Sequence, residues 1–236
     1  MFQKVIFCLL FLFIPLNRAA VNTVANSPFT SSEPVSELAA GEQLFEEMEL
    51  GGTVNFIAFR QAVAGYNRIK EKSKPILTLI DFSKPSTEKR FFVFDMEKKK
   101  LLYSSVVAHG RNSGENYATS FSNQYGSYKS SLGFYLTENT YQGGNGYSLI
   151  LNGLEKGIND KAKARSIVVH GAPYANPSVA ASGRLGRSLG CPALPTKLAR
   201  PIINTIKDGS VMFIYANNPH YLAQSNILHK LSLIHI

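Results

Sequence analysis

Hydrophobic spacing divides the chain into a helical first third and a mostly extended remainder. Residues Ser36 to Leu50 place Leu38, Leu44, Phe45 and Met48 at helical intervals, with Ser36 as a candidate cap, and Gly51-Gly52 ends the run. Val54 to Lys70 repeats the period with Phe56, Phe59, Val63 and Tyr66 on one face. The two segments predict a helical hairpin turned at the glycine pair, lying against a sheet. At Pro75 the period changes to extended. Ile76 to Phe82, Arg90 to Asp95 and Leu101 to Ala108 are short apolar runs separated by polar turns, which predicts an antiparallel meander. Leu132 to Thr137 and Tyr147 to Leu151 read as further strands, and Ser166 to Val169 as another. Thr196 to Lys207 reads as a helix with Leu198, Ile202, Ile203 and Ile206 inward, and Ser210 to Tyr215 as a last strand. The resulting division is a linker and helical hairpin at 26–74, a folded domain at 75–217 and a tail at 218–236 with no evident role.

Residues 1–25 change the setting of everything after them. Met1 to Lys4 is basic, Val5 to Leu16 is unbroken apolar sequence, and Thr23-Val24-Ala25 offers a small-residue cleavage site. A mature membrane span wants about 20 apolar residues, so an export signal is expected in place of an anchor. The full chain carries +9, and loss of Lys4 and Arg18 with that signal leaves +7. An exported basic protein is drawn to anionic envelope surfaces. Nucleic acid is not an expected partner, because no nucleic-acid motif accompanies the charge. Of the two cysteines, Cys8 lies in the signal, so Cys191 has no internal disulfide partner. One thiol kept by an exported protein is either an inert core residue or a reactive group.

The neighbourhood of that thiol favours reactivity. Val168-Val169-His170-Gly171 ends a β-branched run in a histidine, and Gly186-Arg187-Ser188-Leu189-Gly190-Cys191-Pro192 follows as a glycine-rich turn. An imidazole beside a thiol can take its proton, and glycine before the cysteine leaves backbone N–H groups open to a carbonyl oxygen. The base precedes the nucleophile in sequence, the reverse of papain-like peptidases. His220, His229 and His235 fall in the tail, where a base is not expected. His109 ends the third strand in a second His-Gly, before a polar loop that runs to about Ser131. Loops of that length usually carry function, which makes His109, Asn112 and Tyr117 candidate substrate contacts; for His109 a supporting donor to the site, the base itself and a strand-end hydrogen-bond cap are the other readings.

Val169-His170-Gly171 with Gly186 to Cys191 resembles the signature of the YkuD-type L,D-transpeptidases. Residues 76 to 216 resemble the murein L,D-transpeptidase catalytic-domain branch, through Asp81 to Ser86, His109 to Gly114, Ser120 to Asn123 and Ser130 to Phe134. The resemblance implies a mainly β (α+β) fold, a YkuD-like β-sandwich or meander with the helical hairpin ahead of it. It implies cysteine-dependent acyl transfer on peptidoglycan stem peptides, with no metal or cofactor. Cys191 would be the nucleophile and His170 the base, with the Gly171 carbonyl orienting the imidazole. The amides of Gly190 and Cys191 would form the oxyanion site, and Ser188 would support the turn. Donor peptides would be cleaved before the terminal D-Ala and joined as 3–3 cross-links, in the periplasm or cell envelope. Amine-bearing envelope proteins are further candidate acceptors, and carbapenems are expected inhibitors. Leu189 and Ala193 depart from the common signature, which bears on substrate contacts; Arg187 or Arg184 could supply the positive charge that a substrate carboxylate needs. An L,D-carboxypeptidase with water as acceptor and a non-catalytic peptidoglycan-binding protein are the competing readings. Oligomeric state is not legible.

Overall fold

The structure is a computed structural model, and residues 32–228 are described; the expected export signal lies outside them. Two helices come first, α1 (Ser32–Glu47) and α2 (Phe56–Arg68). The first begins four residues before Ser36, which therefore lies inside the helix and does not cap it. Asn55 caps α2, its Oδ1 accepting from the amides of Ile57 and Ala58 at 3.0 and 3.2 Å. Phe59 on α2 meets Phe45 of α1 and Phe94 of the sheet edge-on, with centroids at 5.7 and 5.1 Å. The helical pair and the sheet thus share one apolar core. Gly65 lets α2 approach so closely that a Cβ there would sit 2.0 Å from the ring of Phe134.

Eight strands follow: β1 (Ile76–Asp81), β2 (Phe91–Asp95), β3 (Lys100–Ser105), β4 (Gly133–Gly143), β5 (Gly146–Gly153), β6 (Val168–Gly171), β7 (Ala193–Leu194) and β8 (Val211–Tyr215). The later helices are α3 (Pro177–Ala180), α4 (Thr196–Ile206) and α5 (Pro219–Gln224). All eight strands are hydrogen-bonded in one mixed sheet, in the order β3-β2-β1-β8-β4-β5-β6-β7. The expected antiparallel meander is β1-β2-β3. Two pairings are parallel, β1 with β8 and β6 with β7, and each needs a crossover connection. The expected mainly β fold with a helical hairpin ahead of it is what the chain adopts. The sheet is curled nearly into a barrel. The chain leaving β3 reaches back to the opposite edge, where Ala108 pairs with Ala193 and Gly110 with Ser188.

Central strands β1, β2 and β8 are buried along their whole length, as strands covered on both faces should be. Helix α4 packs on β6 through Ala199, Ile202, Ile203 and Ile206. Leu198, expected inward, is 37% exposed, and Ala199 takes its place. A small side chain is wanted there, because a Cβ on Gly171 would come within 2.9 Å of the Ala199 methyl.

The tail has a role that its sequence conceals. Tyr221 and Leu228 are buried in the main core. Glu155, 1% exposed, accepts from the Tyr221 hydroxyl at 3.0 Å, the Phe134 amide at 2.7 Å and the Ser225 hydroxyl. Burial raises its carboxyl pKa, and these donors oppose the rise. The tail therefore satisfies a buried acid beside β4. Tyr221→Phe should remove one donor from that acid and lower stability by about 2 kcal/mol in urea denaturation, with little change in slope.

Candidate active site

Val168 to Gly171 forms β6 because its β-branched residues suit a buried strand between β5 and β7. The parallel pairing sets His170 opposite Ala193. Residues two apart share a face of a strand, so Cys191 lies one pleat behind that pair, beside Val168. The hydrogen bonding agrees, with the Val168 amide donating to Cys191 Sγ at 3.4 Å. The thiol in turn donates to the Ser166 carbonyl at 3.6 Å. His170 Nδ1 donates to the Gly171 carbonyl at 3.0 Å, which leaves Nε2 as the basic nitrogen of the neutral ring. No hydrogen bond joins the thiol to the imidazole among the described residues; each rests on backbone.

Both groups are nearly closed off, with Cys191 7% and His170 4% exposed. Burial pushes the Cys191 thiol up; the Val168 amide and then the Arg165 guanidinium pull part of the way back. Burial pushes the His170 imidazole down, opposed by its bond to Gly171. Both shifts favour the neutral thiol and the neutral imidazole over the ion pair.

The turn before Cys191 is held by hydroxyls. Ser188 Oγ donates to the Cys191 carbonyl at 2.6 Å and accepts from the Gly190 amide at 3.0 Å. Ser130 Oγ accepts from the Gly110 amide and donates to the Gly190 carbonyl, both at 3.0 Å. Gly190 sits at φ +128°, and a Cβ there would lie 2.8 Å from Ile167 and 2.9 Å from the Lys129 carbonyl. Glycine is thus required by conformation and by space. These bonds correct one expectation. The Gly190 amide is taken by Ser188, so of the two amides assigned to an oxyanion site only that of Cys191 has no acceptor among the described residues.

His109 needs a second correction. It is fully buried, accepts from Arg90 Nη2 at Nδ1 over 2.8 Å, and donates from Nε2 to the Gly114 carbonyl at 3.2 Å. With both nitrogens engaged inside the protein it does not meet substrate. Burial first, and the Arg90 charge second, lower its pKa from 6.5 to about 4. Arg90 is itself fully buried and donates to the carbonyls of Val107 and Lys84. The arginine that enters Phe91-Phe92 is the sequence signal for this site. Arg165 ties the carbonyls of Ser122 and Lys129 beneath the Cys191 turn at 2.7 and 2.6 Å, a role that no local sequence pattern marks.

The remaining candidates lie further out. Asn112 is exposed and donates to the Ser127 carbonyl at 2.9 Å, folding the polar loop on itself. Tyr117, 51% exposed, lines a cavity of about 310 Å³ with Phe82, Phe121 and Asn217. Neither Cys191 nor His170 lines that cavity, nor one of about 620 Å³ between α1, α2 and Met96. Arg187 is paired with Glu115 at 2.7 Å. No cluster of three His, Cys, Asp or Glu side chains is placed to hold a metal among the described residues.

A family model described as "L,D-transpeptidase catalytic domain" matches residues 51–215. No curated protein matches the chain. Among solved structures, an L,D-transpeptidase from Mycobacterium smegmatis is 13% identical over 60% of this chain and 59% of its own, with a TM-score of 0.37. L,D-transpeptidase 3 from Mycobacterium tuberculosis, in complex with a faropenem-derived adduct, is 15% identical over 59% and 60%, with a TM-score of 0.38. An L,D-transpeptidase from Stackebrandtia nassauensis is 14% identical over 78% and 79%, with a TM-score of 0.36. The chain spans about three fifths of the length of the two mycobacterial proteins.

The His109 assignment has a consequence for stability. A group whose pKa falls from 6.5 to about 4 on folding contributes fully above pH 6.5 and loses that contribution as pH falls towards 4. The contribution is about 3 kcal/mol. Denaturation midpoints followed from pH 7.5 to 4.5 should fall more steeply for the natural protein than for His109→Asn, which keeps an acceptor for Arg90 but does not titrate.

Proposed function

The chain belongs to the L,D-transpeptidase catalytic-domain family, and from that premise we propose that it performs cysteine-dependent acyl transfer on peptidoglycan stem peptides. The observation that carries the reading is the β6–β7 register, which sets the Cys191 thiol one pleat from a histidine whose other nitrogen is fixed by Gly171. For reaction, Cys191 rotates about its Cα–Cβ bond, leaves the Ser166 carbonyl and gives its proton to His170 Nε2. Sulfur bonds to the carbonyl carbon that precedes the terminal D-Ala. The oxyanion that forms is met by the free Cys191 amide. The C–N bond then breaks, and D-Ala leaves with the proton held by the imidazolium. An acceptor amine attacks the thioester, passes its proton to His170 and releases the sulfur, which leaves a 3–3 cross-link or a stem-anchored envelope protein.

Export to the periplasm or cell envelope belongs to the same reading, supported by the basic start, the apolar run Val5 to Leu16 and the net charge of +9. The presence of both Cys191 and His170 favours an enzyme over a binding protein.

Intact mass after incubation with a carbapenem should show one covalent adduct on the natural protein and none on Cys191→Ala. A disaccharide-tetrapeptide should yield a cross-linked dimer; tripeptide alone would make the protein an L,D-carboxypeptidase, and no product with no adduct would leave a binding protein. His170→Ala should lower kcat/KM by about 10²- to 10⁴-fold. Because the imidazole pKa lies below its ordinary 6.5, kcat/KM should hold through neutral pH and fall only on the acid side of that value.

A further inference from the structure

A cation without an anion lies against the Cys191 turn. Arg165 is half-buried, and none of the ion pairs among the described residues includes it. Its protons go to neutral oxygens instead. Nη1 donates to the Ser122 carbonyl at 2.7 Å and to Ser131 Oγ at 2.6 Å. Nη2 donates to the Lys129 carbonyl at 2.6 Å and to Ser127 Oγ at 3.2 Å. Nη2 is also 3.6 Å from the point where a Cβ on Gly190 would stand, and the Lys129 carbonyl is 2.9 Å from that point. Ser166, next in the chain, accepts the Cys191 thiol proton on its carbonyl at 3.6 Å. The peptide before the sulfur therefore packs on Arg165, and the residue after Arg165 holds the sulfur. A half-buried cation is costly until an anion forms beside it. Two ionisable groups act on Arg165, namely Tyr135 and Cys191. Burial raises Tyr135 far above its ordinary value, so it stays neutral. Cys191 is left to supply the anion, when its proton passes to His170. The other groups around the sulfur do not compete. Burial pushes Tyr174 up to about 12, and Lys129 turns its ammonium to Ser120 Oγ at 2.7 Å.

We infer that Arg165 is a positioning residue of the proposed reaction and the standing counter-ion of the Cys191 sulfur: its fork holds the turn, and its charge steadies the thiolate. The inference rests on the acyl-transfer reading above. In acylation the S–H bond breaks and the proton goes to His170 Nε2. The electron pair left on sulfur is negative until it bonds to the carbonyl carbon. In release the C–S bond breaks, the pair returns to sulfur, and His170 gives the proton back. The sulfur anion therefore occurs in both half-reactions, and a fixed cation beside it lowers the cost of each.

The test is the pH dependence of iodoacetamide alkylation at Cys191, followed on the full chain by peptide mass so that Cys8 is counted apart. The readout is the midpoint of the rate against pH, not its height. Arg165→Gln should raise the midpoint by about one pH unit, which is about tenfold less thiolate at neutral pH. Arg165→Lys, which keeps the charge and loses the fork, should bring it most of the way back. A role in packing alone predicts the opposite sign, because a loosened turn admits water and lowers the thiol midpoint. A midpoint that Arg165→Gln leaves in place or lowers, or that Lys and Gln raise alike, overturns the inference. Salt gives a check that needs no substitution and decides the matter if the Gln variant does not fold. At about 1 M, where the screening length is about 3 Å, the natural protein's midpoint should rise, and a midpoint unmoved by salt overturns the inference. The acyl-transfer reading fails separately, on the absence of a carbapenem adduct from the natural protein, whatever the titration gives.

Discussion

The molecule depends on a short backbone seam. Ala108 and Ala193 exchange hydrogen bonds at 2.8 and 3.2 Å, and the Ser188 amide reaches the His109 carbonyl at 2.9 Å. These contacts join the chain that leaves β3 to the strand that follows Cys191, at opposite ends of the sheet order. A curled sheet that nearly meets itself has few exposed edge groups left to pair with other chains. Here the meeting line also fixes the turn that carries Cys191. Small residues line it, with Ala108, Ala172 and Ala193 in one buried cluster, so the backbones can approach. Bulk at any of them would part the seam and move the turn.

Buried polar groups set the seam's geometry. Among the described residues no carboxylate is hydrogen-bonded to Arg90; the carbonyls of Val107 and Lys84 and a neutral imidazole accept its protons, and its guanidinium lies over the Phe82 ring at 4.9 Å. A buried charge is tolerable when its donors are satisfied, and removing one partner leaves the rest of the network costly. Arg90 fixes His109, His109 fixes the Gly114 carbonyl, and two hydroxyls, Ser130 and Ser188, fix the peptide on either side of Gly190. Backbone amides and hydroxyls around the turn are tied to one another in that series. The Cys191 amide has no acceptor among the described residues, which leaves it open to the oxyanion of the proposed reaction.

The same closure keeps the resting site quiet. A thiol held by a backbone amide and carbonyl, beside a neutral imidazole in a water-poor setting, is a poor nucleophile. In the proposed reaction, activation is a local event: a rotation of the Cys191 side chain, with no rearrangement of the sheet.

Apolar runs between polar turns are enough to place seven of the strands, and helical spacing both long helices of the hairpin and α4, because burial is written into residue spacing. The pairing of Cys191 with His170 was legible because a lone thiol and a strand-end histidine are chemically unusual in any order. Sequence spacing carries no information about which distant hydroxyl or carbonyl will meet a given amide. So the capture of the Gly190 amide by Ser188, the burial of His109 under Arg90 and the docking of Tyr221 and Ser225 on Glu155 were decided only when the sheet curled. Local periodicity selects the elements. The sheet's closure selects their hydrogen-bond partners, since those partners come from residues far apart in the chain, and it thereby determines which donors remain free for chemistry.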